Sequence, residues 1–222
     1  MLFSKQTFSF LKDIAANNSK DWFDENRDRY EAHWKTPAFN FIDAIADEMR
    51  SLEPSLKAEA RLNGSLRRIN RDVRFSTDKS PYNARLHLVF WSGGHPNRSP
   101  GMHFVLSPDG VGYGAGQFGI EPKNLTRFRD RIHDEQDGNA LIEALNEAAT
   151  VGCQFGEPDL ARVPKGFDAD HPRSDLLRYK SYVARTHDTQ AAAGNIIGPD
   201  AVDWAMEVTR KLVPLLQWLV KT

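Results

Sequence analysis

Between residues 4 and 53 the apolar positions recur every three or four residues, the spacing of one helix face. Phe10, Leu11 and Ile14 form a first stripe, and Asn17-Asn18, residues that tolerate left-handed backbone, end it. Ser19 is placed to cap a second helix carrying Trp22, Phe23, Tyr30 and Trp34. Thr36-Pro37 supplies an N-cap and a first-turn proline for a third, with Phe39, Ile42, Ala46 and Met49, and Pro54 sets its end. From Leu66 the period changes to two. Ile69, Val73 and Phe75 alternate with Arg68, Asn70, Asp72 and Arg74, as in a strand with one buried face, and Arg71 falls on its apolar side. After the break at Ser80-Pro81, Arg85 to Trp91 predicts another strand, with Leu86, Leu88 and Phe90 opposing Arg85, His87 and Val89.

Met102 to Leu106 and Val111 to Phe118 read as a hairpin closed by Pro108-Asp109-Gly110, because Asp-Gly adopts the positive φ such turns need. Pro122 can open a helix with Leu125, Phe128 and Ile132; Asn139 can cap another with Leu141 and Leu145; Ser174 begins a shorter one. Lys180 to Arg185 suggests a returning edge strand, and Asp200 caps a last helix with Trp204, Val208, Leu212, Leu215 and Leu219, kinked at Pro214. Helices, then antiparallel strands, then helices predict a single α+β domain. It is helical over 1–60, mainly strands over 61–120 and mixed helical over 121–222, with the C-terminal helices packed on the sheet.

Charge changes the picture at one place. From Arg61 to Arg85 there are seven basic residues against two acidic ones, while the whole chain sums to −1. That overall balance argues against a general nucleic-acid or anionic-membrane binder and leaves a local patch that asks for an anion. On a strand, Arg68, Asn70, Asp72 and Arg74 would share a face, with Lys79 and Tyr82 brought back by the following turn. Guanidinium groups bind phosphate or carboxylate bidentately, Asp72 could orient one of them, and Tyr82 could donate its hydroxyl. The rival reading is an internal salt-bridge network in which Asp72 and Asp78 satisfy these cations.

The remaining candidates are weaker. Gly114-Ala115-Gly116-Gln117-Phe118-Gly119 matches G-x-G-x-x-G by letter, but it lies in an antiparallel context with the helix starting too late. These glycines read instead as bulges or as room for a ligand or backbone to approach. His87 and His103 fall on neighbouring strands and with Asp72 or Asp78 could make a metal site; no histidine spacing supports one, and no metal is expected. Pro164-Lys165-Gly166-Phe167, followed by His171-Pro172, is a rigid turn that presents Lys165, with Phe167 as a core plug. The lone Cys153 excludes an internal disulfide, fits a reducing compartment and reads as inert packing. The N-terminal apolar stretch is interrupted by Lys12 and Asp13, and Leu212 to Val220 falls short of a membrane span, so a cytoplasmic location is expected.

Asn17-Asn18 with Trp22-Phe23 and Tyr30, Arg71-Asp72-Val73-Arg74-Phe75 with Asp78-Lys79-Ser80-Pro81-Tyr82, and Pro164-Lys165-Gly166-Phe167 with His171-Pro172 together resemble the bacterial and fungal family called Domain of Unknown Function 2461. The likeness covers the chain to about Asp188 and implies a compact cytosolic domain, with no activity, cofactor or catalytic residue to carry over. One position departs: Asn83-Ala84 follow the Pro-Tyr pair where the resemblance leads one to expect Lys or Thr.

Two readings stand. In one, the domain binds a small phosphorylated or carboxylated ligand through Arg68, Arg71, Arg74, Lys79 and Tyr82, with Lys165 and His171 closing over it. Any proton transfer then falls to Asp72 or His171. In the other, the Arg-Asp motif is scaffold and the domain is a non-catalytic protein-interaction module. Neither a reaction, a cofactor nor an oligomeric state follows from the sequence.

Overall fold

Alternation along Leu86–Ser92 (β2) and Gly101–Ser107 (β3) sets Leu86, Leu88 and Phe90 opposite Leu106, Phe104 and Met102, so one face of this pair is apolar at these six positions. In the computed structural model, which describes residues 2–186 and 190–221, these strands are part of a six-stranded antiparallel sheet. A turn ending at Gly110, with φ 146°, joins β3 to Gly110–Gln117 (β4), as Pro108-Asp109-Gly110 predicts. Leu56–Lys57 (β1) and Gln154–Phe155 (β5) form the edges, and Tyr182–Arg185 (β6) lies between β4 and β5. β6 is therefore interior, not the expected edge strand. The two-residue β5 that covers it is too short to leave a sequence period.

Lys5–Ala16 (α1) opens on a capping box made by Ser4 and Thr7, and Ser19 caps Lys20–Glu25 (α2) as predicted, its Oγ accepting from Trp22 N–H at 3.3 Å. Arg27–Tyr30 (α3) runs through a π turn, Glu31–Lys35, straight into Thr36–Leu52 (α4). Thr36 thus lies inside helical backbone and is not a cap. Pro37 lacks the N–H that would close an ordinary turn, and the wider turn precedes it. Asn17 ends α1 outside the left-handed region, at φ −128°. Asn18 instead clasps the backbone of Tyr82, donating to its carbonyl at 2.9 Å and accepting from its N–H at 3.0 Å.

Pro122–His133 (α5) starts at its proline, as predicted. Glu135–Thr150 (α6) starts earlier than expected, because Asp134, not Asn139, accepts the Asp137 N–H, and acidic residues occupy its first turn. Ser174–Arg178 is a short 3₁₀ turn, Gln190–Ile196 is α7, and Ala201–Val220 (α8) continues through Pro214. Asp200 holds the N-cap position of α8 without a side-chain cap bond. Among the described residues, no helix is long and apolar enough to cross a membrane.

α4 and α8 cover the apolar face of the sheet. The ring of Phe104 lies 6.2 Å from Phe41 of α4 and 6.2 Å from Trp204 of α8, while Phe128 of α5 stacks on Tyr182 at 5.5 Å. Phe104 is fully buried, and truncation to alanine at such a position costs about 3–5 kcal/mol.

The largest departure from expectation is Leu66–Phe75, which is not a strand. It makes isolated bridges at Leu66–Leu88 and Asn70–Tyr82; Ile69 is buried but Phe75 is 97% exposed. Beyond the Arg71 N–H, which still donates to the Pro81 carbonyl at 2.8 Å, side chains occupy backbone groups a ladder would need. Asp72 accepts from the Arg74 N–H at 3.3 Å, Lys79 donates to the Val73 carbonyl at 3.0 Å, and Arg71 donates to the Ser80 carbonyl at 3.1 Å.

Candidate anion-binding pocket

The other face of the sheet carries the polar half of the same alternation. His87 and Val89 on β2, His103 and Val105 on β3, Gly112, Gly114 and Gly116 on β4 and Arg185 on β6 line a pocket of about 440 Å³. Arg67, Arg68, Asn83, Asn97, Ser99 and the half-exposed Phe118 complete the lining.

The glycines serve β6 as well as the pocket. A Cβ added at Gly114 would collide with the Ala184 carbonyl oxygen and lie 2.7 Å from the Cβ of Arg185. One added at Gly116 would collide with the Tyr182 carbonyl oxygen. Their missing side chains let β6 press onto β4 and bring Arg185 over the floor. The sequence reading of these glycines as room for close backbone approach matches this geometry.

Four arginines, Arg67, Arg68, Arg85 and Arg185, line the pocket, and no carboxylate does so among the described residues. None of the four forms an ion pair among the described residues. Arg67 donates to the side-chain oxygen of Asn97, and burial, followed by the nearby Arg68, pushes its pKa down. His87 Nε2 and His103 Nδ1 are 2.9 Å apart, so one ring donates to the other. Burial, then His103, Arg67 and Arg85, hold His87 down to about 3; burial, then Arg67, holds His103 down to about 4. The pair is neutral at pH 7 and keeps one outward N–H and one lone pair. Such a site can hold an oxyanion by bidentate guanidinium bonds, with an imidazole N–H as a further donor. The facing histidine nitrogens engage each other, and no third His, Cys, Asp or Glu joins them among the described residues.

Of the residues singled out from sequence, Arg68 lines this pocket and Arg71, Arg74, Lys79, Tyr82 and Lys165 do not. Arg71 pairs with Asp78 at 2.5 Å and Arg74 with Asp72 at 2.7 Å, within one loop. Its bonds to Ser80, then Arg71, hold the Asp78 carboxyl down to about 2, and the bonds from Arg74 lower that of Asp72. Tyr82 is buried and stacks on Phe23 at 4.2 Å. Lys165 is exposed, and Phe167 packs against the core. His171 stacks on His133 at 4.4 Å and accepts the Arg173 N–H at 3.1 Å, also outside the pocket. Cys153 is buried against the Tyr113 carbonyl, and burial pushes its thiol up to about 12.

Sequence reasoning missed Arg67, Arg85 and Arg185 as site residues. The available signal was register: Arg85 and His87 share the polar parity of β2, and the alternate glycines of β4 face the same way.

Helices on one face of an antiparallel sheet and an arginine-walled pocket on the other define an α+β protein built around a cationic sheet-face pocket. The chain belongs to the family described as Conserved hypothetical protein (DUF2461), whose model matches residues 6–218. The match runs on through most of α8, past Asp188, which lies outside the described residues. No curated protein and no solved structure matches the chain.

Proposed function

We propose that this protein binds a small anionic ligand, phosphorylated or carboxylated, in the pocket formed by Arg67, Arg68, Arg85 and Arg185 over the His87–His103 pair. One observation carries this reading: four arginines line one pocket with no carboxylate among its described lining residues. Clustered like charges repel, and Arg67 already responds to Arg68, so an anion that enters relieves a standing cost. Carboxylates absent from the pocket are present in the neighbouring Arg71–Pro81 loop, where each arginine has its own.

Thermal unfolding with phosphate, sulfate and simple carboxylates tests it. At a hundred times its Kd a bound anion adds about 2.7 kcal/mol, several degrees in Tm. The stabilisation is expected in wild type and absent in folded Arg67→Ala and Arg68→Ala proteins. Equal Tm values with and without every anion would remove the reading.

A second reading rests on Phe75, which is 97% exposed at the Arg71–Pro81 loop. As a protein-interaction module, the chain would use Phe75 as an anchor and no anion would change its stability.

A further inference from the structure

We propose that the pocket takes a ligand with two anionic ends joined by an apolar or flat middle. This deepens the anion-binding reading and rests on it. The cations stand at two places. Arg67 donates its backbone N–H to the His87 carbonyl at 2.9 Å, Arg68 follows it in the chain, and Arg85 directly precedes Leu86 at the start of β2, so these three stand on the β2 side. Arg185 stands apart, on β6.

The strand register gives the span. Val89, His103, Gly114 and Arg185 form one row across four neighbouring strands. At about 4.8 Å per strand, the backbone of Arg185 lies about 10 Å from that of His103 and about 14 Å from that of Val89. The floor between the two ends is the neutral ring of His103 with Val105 and the bare backbone of Gly112 and Gly114, which offers no charge and leaves room for a flat or aliphatic body. Gly114 brings Arg185 over that floor, since an added Cβ there would meet the Cβ of Arg185 at 2.7 Å. A single small anion held at the β2 side leaves Arg185 without a counter-charge among the described residues; a second anionic group at the far end answers it.

Calorimetric titration of the full chain with α,ω-dicarboxylates from succinate to azelate, each against the monocarboxylate of equal carbon number, tests the span. A sugar bisphosphate against its monophosphate separates phosphate from carboxylate as the end group. A longer dianion is expected to bind about tenfold or more tightly than both succinate and its own monoanion, as one further charge-assisted contact gives. In Arg185→Gln, an exposed position whose folding is checked by its melting curve, that preference falls to about parity, and Arg185→Lys restores part of it. Equal binding of mono- and dianions by wild type overturns the proposal, because it means that the arginines swing onto one anion. A preference that survives Arg185→Gln overturns it too. If phosphate stabilises the protein but no preference for dianions is found, the two-ended ligand fails and the anion reading stands. If no anion binds at all, both fail.

Discussion

Two groups of arginines, neighbours in sequence except for Arg185, behave in opposite ways. In the Arg71–Pro81 loop, Arg71 and Arg74 have partners of their own, Asp78 and Asp72, and Lys79 donates to a backbone carbonyl. On the adjoining sheet face, Arg67, Arg68, Arg85 and Arg185 line one pocket without a carboxylate among the described lining residues. The loop uses charge to hold its own shape where a strand ladder is missing. The pocket leaves charge uncompensated among the described residues. The lesson is that an excess of positive charge in a sequence window locates neither group, because what matters is which cations lack partners in space.

Acid distinguishes the two regions most strongly. Unfolded histidines titrate near 6.5, whereas His87 and His103 stay neutral to about 3 and about 4 in the fold. Below pH 6.5 the unfolded chain therefore binds protons that the folded chain refuses. Stability is full above that pH and falls as pH drops toward 4, by up to about 3 kcal/mol per pH unit for the two rings together. Chemical denaturation between pH 7 and pH 5 is expected to show this slope, His87→Asn to flatten it, and saturating phosphate to reduce it by favouring a charged imidazole. The Asp78 and Asp72 carboxyls lose their contribution only below their ordinary range near 4, so the loop is silent in the window where the pocket responds.

The next effect in size belongs to the floor. Gly114→Ala sets a methyl group against the β6 backbone, an overpacking that costs about 1–3 kcal/mol, and it moves Arg185 as well. Urea unfolding should show the lower stability, and titration should show weakened dianion binding in the protein that remains folded. Arg71→Ala is expected to do less. Its ion pair with Asp78 is solvent-exposed on the acid's side, so the main loss is the bond to the Ser80 carbonyl, worth about 1 kcal/mol by denaturant midpoint. Arg74→Ala, in an exposed pair, should leave the midpoint where it was.

Much of the fold was legible in the chain. Alternation along Leu86–Phe90 and the Asp-Gly turn specify the central hairpins, and Ser19, Pro122 and the stripe of α8 specify helices, because each carries a local signal of period or capping. Leu66–Phe75 was misread because its alternation is real but backbone groups of the segment and of its return are taken by Asp72, Lys79 and Arg71, a competition that a hydrophobic pattern does not record. Thr36 was misread because the helix before it does not stop. The pocket was legible only in pieces. Arg68 was singled out, and His87 and His103 were placed on adjoining strands, but Arg185 lies a hundred residues from Arg85 and joins it only through the β4–β6 pairing.

The most direct test sets one arginine of each group side by side: phosphate-induced stabilisation measured for wild type, Arg67→Ala and Arg71→Ala. If the pocket is the anion site, phosphate raises the Tm of wild type and of Arg71→Ala by similar amounts and leaves Arg67→Ala unmoved. A response lost in Arg71→Ala and kept in Arg67→Ala would contradict this account and return the site to the loop.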